Sequence, residues 1–448
     1  MLSEEKIAEY ADASRNARKS SETVEQAKQK VIDTIGCALG ALNSTPVKLL
    51  KEMGDSFGSK GISAHVWGTN QTMSPDNVSF VNSAAARYLD YNDIYLGKHQ
   101  ACHPSDNLPG AWAVAESTGK SGQEFLNALC VGYEINCMLT DSGALDDRGF
   151  DNLLYGAISS SVMASLLLDL PYEKIVEAIR IAGSSTISLF QTRIGQLSMW
   201  KGLAAGYACK SGVYSAYLAK HGITGPKEIF EGKFGIIKVL SPDFSAFNLD
   251  SSAFTRITQT RLKRYPAQYF MQTTIEAALK IQEKIEDYRS IGSIEVETFS
   301  RAIKTAAGDE SRWSPTTRET ADHSLPYCIT MSFLNGDLTA ESFEREQWND
   351  ERVKEFLPKV KATENRDFSS NYPDLTQSTV KVSTKDGGKY SEHLDVPTGD
   401  PRRPFTKDVL ETKFMQLGRR FAGEDAIKGL LAKLWRLEKL ETLPGILN

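Results

Sequence analysis

Acidic and imidazole side chains are concentrated between residues 87 and 107. The stretch contains Asp90, Asp93 and Asp106 together with His99 and His103. A helical run of small apolar residues precedes it, so a helix would deliver these side chains to one place. Proton transfer near neutral pH requires groups of this kind. The alternative is a polar connector with solvated charges, and composition alone favours it. The choice between the two interpretations therefore depends on residues elsewhere in the chain.

Two clusters of cationic side chains follow later in the chain. Arg193 and Lys201 lie beside glycines and a serine, which would let a ligand approach the backbone. Lys263 and Arg264 are adjacent at the point where the character of the sequence changes. Neighbouring cations suit a ligand that carries several carboxylates. Cations on a solvated helix surface and a basic linker are the structural alternatives.

A third cluster combines an acid, an imidazole and a phenol directly before a predicted helix. Asp322 could orient the ring of His323, and Tyr327 could donate a proton. The alternative is a capped helix start with a packed tyrosine.

The chain contains no phosphate-binding loop, no dinucleotide fingerprint, no nucleophile elbow and no His-Glu-x-x-His pair. Together, the clusters favour proton chemistry on a small anionic substrate.

The elements that must position these clusters change in type near residue 261. Before it, helical periodicity predominates; Ser74-Pro75 is typical of a helix start, and Ser121 with Glu124 forms a capping box. Further helices are predicted at 153–170, 194–221, 266–284, 324–335, 340–356 and 407–440. Strands are predicted at 291–299, 358–362, 378–383 and 390–396, with a hairpin turn at 385–388. We therefore predict a mainly α protein. A large all-α domain is expected from 1–260 with 399–448, and a smaller α+β domain from 261–398.

Composition places bounds on the class of protein. The chain has 448 residues, 41% of them hydrophobic and 24% charged, which is typical of a globular protein. A net charge of −5 argues against a nucleic-acid-binding protein. There is no apolar run long enough to cross a membrane and no signal-peptide pattern, so a cytoplasmic location is expected. The six cysteines are scattered, which favours neither a zinc site, an iron–sulfur cluster nor a disulfide framework.

Four motifs follow one another along the chain: Leu-Asp-Tyr-Asn-Asp at 89–93, His-Pro-Ser-Asp-Asn at 103–107, Lys-Arg-Tyr-Pro-Ala at 263–267 and Ala-Asp-His-Ser-Leu-Pro-Tyr at 321–327. Together they resemble the MmgE/PrpD family, which includes 2-methylcitrate dehydratases and cis-aconitate decarboxylases. The resemblance spans nearly the whole chain, with the motifs in order. It implies a helical domain built from both chain ends, an α+β lid and a homodimer. It also implies an active site in the cleft without a metal, an iron–sulfur cluster or another cofactor.

Several residues match active-site positions of the decarboxylase branch, and His323 lies in the lid motif. The matching residues are Asp90, His103, Lys201, Lys263 and Tyr327. Other positions depart from that branch. Gln268 and Asp151 stand where it has histidines, Ile94 stands where it has threonine, and the segment before His103 is longer. These departures favour the dehydratase branch.

The resulting hypothesis is a hydro-lyase of propionate catabolism that dehydrates 2-methylcitrate, or a related tricarboxylate such as citrate, to 2-methyl-cis-aconitate. Asp90 and His103 are expected to act as acid and base, in an order left open, with Tyr327 or His323 completing the site from the lid. The residues expected to hold the substrate are Arg193, Lys201, Lys263, Arg264 and Gln268. The alternatives are a cis-aconitate decarboxylase and a non-catalytic dimeric binding protein of the same fold.

Overall fold

The computed structural model describes residues 1–57, 61–247, 249–250, 253–443 and 445. Helices account for most of the described chain and the sheets are small, which confirms the predicted mainly α class. Among the described residues, no helix combines the length and the apolar character that crossing a membrane would require.

The helices occur along the whole chain. They are α1 (Ser3–Ser14), α2 (Ser21–Ala41), α3 (Thr45–Phe57), α4 (Pro75–Tyr88), α5 (Leu108–Ser117), α6 (Gly122–Ser142), α7 (Leu153–Leu167), α8 (Tyr172–Ser185), α9 (Trp200–Lys220), α10 (Ile236–Val239), α11 (Arg256–Gln259), α12 (Gln272–Gln282), α13 (Ser300–Ala306), α14 (Glu310–Trp313), α15 (Arg318–Ala321), α16 (Leu325–Asn335), α17 (Glu351–Phe356), α18 (Arg366–Ser370), α19 (Lys407–Gly418) and α20 (Glu424–Leu434).

The strands form two short hairpins and one four-stranded sheet. They are β1 (Ala64–His65), β2 (Thr72–Met73), β3 (Tyr95–Leu96), β4 (Ala101–Cys102), β5 (Ile291–Thr298), β6 (Val360–Glu364), β7 (Ser378–Thr384) and β8 (Lys389–Leu394). β1 pairs with β2, and β3 pairs with β4, both antiparallel. The larger sheet has the order β6-β5-β7-β8, in which only the β5–β6 pair is parallel.

Two separate hydrophobic clusters account for most of the buried apolar side chains. The larger cluster draws on residues 7–262 and 405–443, so helices from both chain ends share one core. In it, α19 packs on α2, where the ring of Phe414 lies against Gly36. The smaller cluster is built from residues 265–382 around the four-stranded sheet. These clusters support the proposed division of the chain at about residues 261 and 398.

Several predicted helices are shorter in the structure than the sequence pattern indicated. The helix predicted at 194–221 begins only at Trp200, because Gly195 adopts a φ of +67° that an α-helix does not permit. The helix predicted at 340–356 is reduced to α17 and short 3₁₀ turns, and Arg345 and Glu346 also have positive φ. The predicted helix at 266–284 is confined to α12. The tail predicted as one helix divides into α19 and α20, and Gly423 is the N-cap of α20.

The helices next to the candidate site approach one another closely through glycine. A Cβ added to Gly206 on α9 would lie 2.7 Å from the carbonyl oxygen of Phe80 on α4. A Cβ added to Gly212 would lie 2.3 Å from the carbonyl oxygen of Ala157 on α7. Such contacts involve backbone, which cannot rotate away, so α9 is held at a fixed distance from both neighbours.

Replacing Gly212 with alanine is therefore expected to lower the free energy of unfolding by about 1–3 kcal/mol, because the methyl group would force α9 away from α7. Gly429→Ala is the matched control, since nothing lies within 4 Å of an added Cβ in α20. The control should raise stability by about 0.5–1 kcal/mol through the better helix propensity of alanine. Urea denaturation of both variants measures the difference, and equal stability of the two would contradict this account.

Candidate active site

A cavity of about 430 Å³ lies where most of the predicted site residues converge. Its lining includes residues from the stretch after α4, from the loops at 146–152 and 190–194, and from the proposed lid. Six of the predicted residues line it: Asp90, His103, Arg193, Lys263, Gln268 and His323. The wall combines cations, carboxylates and two imidazoles with apolar side chains.

Asp90 is the charge around which the inner wall is organised. It directly follows the end of α4, with a left-handed backbone (φ 50°), a conformation that aspartate tolerates better than most residues. One carboxylate oxygen accepts hydrogen bonds from Arg87 and, at 2.9 Å, from Nζ of Lys201. The other accepts from Nζ of Lys263 at 2.7 Å, and the same ammonium donates to the Asp90 carbonyl at 2.6 Å.

These contacts determine the protonation states of the cluster. Burial alone would raise the pKa of the Asp90 carboxyl, but Arg87, Lys201 and Lys263 hold it well below its usual range. Burial lowers the pKa of Lys201 to about 8 and also lowers the pKa of Lys263. The carboxylate form of Asp90 is therefore favoured and is a weak base, whereas the two ammonium groups are more acidic than ordinary lysines.

His103 is fixed in one orientation by both ring nitrogens. Nδ1 lies 2.6 Å from the carbonyl oxygen of Asp93, which requires a proton on Nδ1, and Nε2 accepts from Arg87 at 3.0 Å. Burial, with Arg87 and Lys263 nearby, lowers the pKa of His103 well below the usual histidine value. The imidazole is therefore neutral, and Arg87 occupies the nitrogen that would have to accept a proton.

The remaining acids of the opening motifs hold the loop rather than face the cavity. Asp93 accepts a hydrogen bond from the hydroxyl of Tyr133 at 3.0 Å. Asp106 accepts from the amide of Asn92 at 2.7 Å, and burial raises its pKa to about 6 although Arg87 is close. The β3–β4 hairpin lies between Asp93 and Asp106 and joins the motif at 89–93 to the motif at 103–107. Asp90 and His103 are therefore brought together by a tight turn of the chain.

Asp322 and His323 form a second acid–imidazole pair, between α15 and α16. Nδ1 of His323 donates to one oxygen of Asp322, and the other oxygen accepts from Arg318 at 3.0 Å. Burial, with Lys201 nearby, lowers the pKa of His323 to about 4, so the ring is neutral above that pH. Among the described residues, none hydrogen-bonds to Nε2, and His323 lines the cavity. This imidazole combines a fixed tautomer with a nitrogen available to a ligand.

Two further predicted residues line the cavity with their polar groups already engaged. Nε of Arg193 donates to Asp151 at 2.8 Å. The side-chain oxygen of Gln268 accepts from Thr305 at 3.2 Å, while its backbone N–H donates to the carbonyl of Asp322. Arg193 is thus neutralised within the protein, and Gln268 helps to place the loop that carries Asp322.

Three predicted residues lie off the cavity lining. Lys201 is behind it, in contact with Asp90 and 4.0 Å from Asp322. Tyr327 is buried in the smaller hydrophobic cluster, where its hydroxyl donates to the carbonyl of Ser342. Arg264 is exposed and is not among the residues that line the cavity. The positions of Tyr327 and Arg264 do not fit the expected roles in proton donation and substrate binding, because α16 and the 263–265 turn direct their side chains elsewhere.

Arg87, Arg312 and Arg318 belong to the site, but the sequence alone predicted no role for them. Arg87 is three residues before Asp90 in the same motif, and this i, i+3 spacing was a usable signal for an ion pair. Arg318 is four residues before Asp322, which offered the same signal. Arg312 belongs to no motif, and only the packing of α14 places it on the cavity wall. In the described parts of the chain, no three histidine, cysteine or carboxylate side chains come together as a metal site would require.

Replacing Asp90 with asparagine should destabilise the protein by about 3–5 kcal/mol, because three buried cations would lose their shared counter-charge. Asparagine also tolerates the left-handed backbone, so the effect reports the charge. Asp12→Asn is the control: its pair with Arg15 is exposed, and the loss should stay within about 1 kcal/mol. Chemical denaturation provides the measurement. A D90N variant as stable as D12N would show that Asp90 does not hold the cluster.

Family models and known relatives match the chain over most of its length. The MmgE/PrpD N-terminal domain matches residues 5–247, and the MmgE/PrpD C-terminal domain matches residues 265–437. Cis-aconitate decarboxylase of Homo sapiens is 27% identical over 93% of this chain and 88% of its own length. The probable 2-methylcitrate dehydratase of Saccharomyces cerevisiae is 26% identical over 89% of this chain and 82% of its own.

A bacterial relative is equally similar. The 2-methylcitrate dehydratase of Salmonella typhimurium is 26% identical over 92% of this chain and 90% of its own length. Dehydratases and decarboxylases thus match at nearly the same identity, so the overall identity does not separate the two activities. The family resemblance stated from the four motifs is confirmed, and the chain belongs to the MmgE/PrpD family.

Proposed function

We propose that the protein is a hydro-lyase that removes water from a tricarboxylate with a tertiary hydroxyl, 2-methylcitrate or citrate, by side-chain acid–base catalysis. The observation that carries this proposal is the Asp322–His323 pair on the wall of a cavity lined with cations. Elimination requires a base for the proton next to a carboxylate and an acid for the departing hydroxyl. The choice of a tricarboxylate as the substrate is based on the relatives named 2-methylcitrate dehydratase.

His323 is the best candidate for the base. Asp322 holds the proton on Nδ1, which leaves the lone pair of Nε2 for the substrate proton, and the neutral form persists down to about pH 4. His103 is less suitable, because its Nε2 already accepts from Arg87. Asp90 is less suitable too, because its cations stabilise the carboxylate form. We therefore assign Asp90 and His103 to positioning and electrostatics rather than to the acid–base pair expected from the sequence.

Lys263 is the best candidate for the acid. Lys263 is among the residues that line the cavity, and burial lowers the pKa of its ammonium, which makes proton transfer to a leaving hydroxyl easier than for an ordinary lysine. In the proposed step His323 takes the carbon-bound proton, and the electrons of that bond form the double bond. The C–O bond breaks, and the hydroxyl leaves as water with the proton from Lys263. Lys201 supports the step by its charge behind Asp90.

Two side chains favour dehydration over decarboxylation. Asp151 and Gln268 stand where the decarboxylase pattern has histidines, and both are engaged, with Arg193 and Thr305 respectively. The site therefore lacks two imidazoles that the decarboxylase pattern would place there. The place in propionate catabolism and the cytoplasmic location stay predictions.

Activity should be tested with 2-methylcitrate, citrate and cis-aconitate, following the unsaturated product and carbon dioxide separately. We expect dehydration of 2-methylcitrate or citrate, and a fall in kcat of about 10²–10⁴-fold in His323→Gln. His393→Gln is the control, because that histidine is exposed on β8. Carbon dioxide from cis-aconitate would assign the protein to the decarboxylases, and binding without turnover to the non-catalytic proteins. Full activity of H323Q would remove His323 from the mechanism.

We also propose that the protein is a homodimer in which two copies pack through one face of α9. Trp200, Tyr207 and Tyr214 are 45%, 49% and 52% exposed. Their spacing of seven residues places them on one side of the helix. Leu189 and Ile194, which precede α9 in the chain, are also exposed. A cluster of exposed large apolar side chains of this kind is typical of a protein interface.

The double substitution Tyr207→Glu and Tyr214→Glu should convert the dimer to a monomer, because four carboxylates would face one another across a two-fold interface. Phe234→Glu is the control: this side chain is 81% exposed but lies outside α9. Light scattering coupled to size-exclusion chromatography gives the mass of each variant. A wild-type monomer, or a dimer that persists in the double variant, would contradict the proposed interface.

A further inference from the structure

The arginines that line the cavity differ in how their charge is compensated. Arg87 pairs with Asp90, Arg193 pairs with Asp151 and Arg301 pairs with Asp146. Arg312 lines the same cavity, but among the described residues no carboxylate lies within 4 Å of it; Asp309 and Asp322 attract its charge only from further away.

Arg312 is held rigidly but is not fully hydrogen-bonded. Nε donates to the carbonyl of Thr305 at 3.2 Å, and one terminal nitrogen, Nη2, donates to the carbonyl of Arg193 at 3.3 Å. The other, Nη1, is buried and has no hydrogen-bond partner among the described residues. The residue as a whole is only 3% exposed. Two carbonyls therefore fix the plane of the guanidinium and leave one donor edge unused.

A buried cation without a counter-charge is unfavourable for the folded protein. Burial lowers the pKa of Arg312, which expresses the same penalty, yet a guanidinium keeps its proton at any physiological pH. A purely structural arginine would be expected to satisfy Nη1 within the protein. A carboxylate bound in the cavity beside Arg312 would supply the missing negative charge.

We propose that Arg312 is the residue that anchors a carboxylate of the substrate in this cavity. This inference rests on the proposed function for the identity of the ligand as a tricarboxylate. Arg193 and Lys263, expected from the sequence to bind substrate, already hold Asp151 and Asp90. Lys304 also lines the cavity but is exposed, where water screens its charge. Arg312 therefore contributes more to ligand affinity than the cations of the sequence motifs.

The test uses tricarballylate, propane-1,2,3-tricarboxylate, which has three carboxylates but no hydroxyl and so cannot be dehydrated. Calorimetric titration should show that Arg312→Gln raises the dissociation constant about 10- to 100-fold, the value of one hydrogen bond between charged groups. Arg312→Lys should recover part of the affinity, because it keeps the charge without the planar donor edge. The control is Arg352→Gln, an exposed arginine of α17, which should bind like wild type.

A second measurement separates ligand anchoring from a structural role. Without ligand, Arg312→Gln should melt close to the wild-type temperature, because the loss of two hydrogen bonds to carbonyls is offset by the removal of a buried charge that has no ion-pair partner. Tricarballylate at about 100 times the wild-type dissociation constant should then raise the melting temperature of wild type clearly more than that of the variant. A ligand-free variant that melts well below wild type would mark Arg312 as structural and overturn the inference.

The remaining outcomes distinguish this inference from the proposed function. If wild type binds tricarballylate through Arg312 but dehydrates neither 2-methylcitrate nor citrate, the anchor stands and the proposed reaction fails. If wild type dehydrates either substrate with a KM that Arg312→Gln leaves unchanged, the reaction stands and the anchor fails. Failure of wild type to bind tricarballylate would overturn the anchor. His323→Gln should lose turnover and keep tricarballylate affinity, which separates binding from chemistry.

Discussion

The ion cluster around Asp90 fixes the relative positions of segments that are far apart in the sequence. One carboxylate meets a guanidinium from the end of α4, an ammonium from the start of α9 and an ammonium from the segment after α11. In a buried environment, removal of any partner leaves an uncompensated charge, so the geometry of all four groups is interdependent. The cavity wall inherits its shape from this cluster, because Arg87 also orients His103 and Lys201 also approaches Asp322.

The two imidazoles illustrate how similar residues are given different chemical properties. Both are buried and neutral, and in each Nδ1 is held by an oxygen acceptor. They differ at Nε2, which meets a cationic donor in His103 and faces the cavity in His323. The acceptor at Nδ1 also differs, since a carboxylate stabilises a developing imidazolium far better than a carbonyl does. The distribution of charge around each ring, rather than the ring itself, therefore separates the two roles.

Local signals in the sequence predicted the elements well, and long-range packing limited the rest. The capping box of Ser121 and Glu124 is present at the start of α6, and Pro75 occupies the first turn of α4, as expected. The break before α9 was not predicted, because the helical spacing of the sequence does not reveal that Gly195 has a positive φ. Tyr327 is only four residues from His323, but α16 carries it into the smaller hydrophobic cluster. The contacts of Arg312 depend on tertiary structure alone.

The backbone of Asp90 limits which residues can occupy this position. A φ of 50° is tolerated by glycine, and among residues with side chains mainly by asparagine and aspartate. The three surrounding cations independently require a carboxylate, which only aspartate and glutamate provide. Among residues with side chains, only aspartate meets both the requirement of the backbone and the requirement of the charge. Position 90 should thus be among the least substitutable in the chain, even though neither its conformation nor its charge alone would make it so.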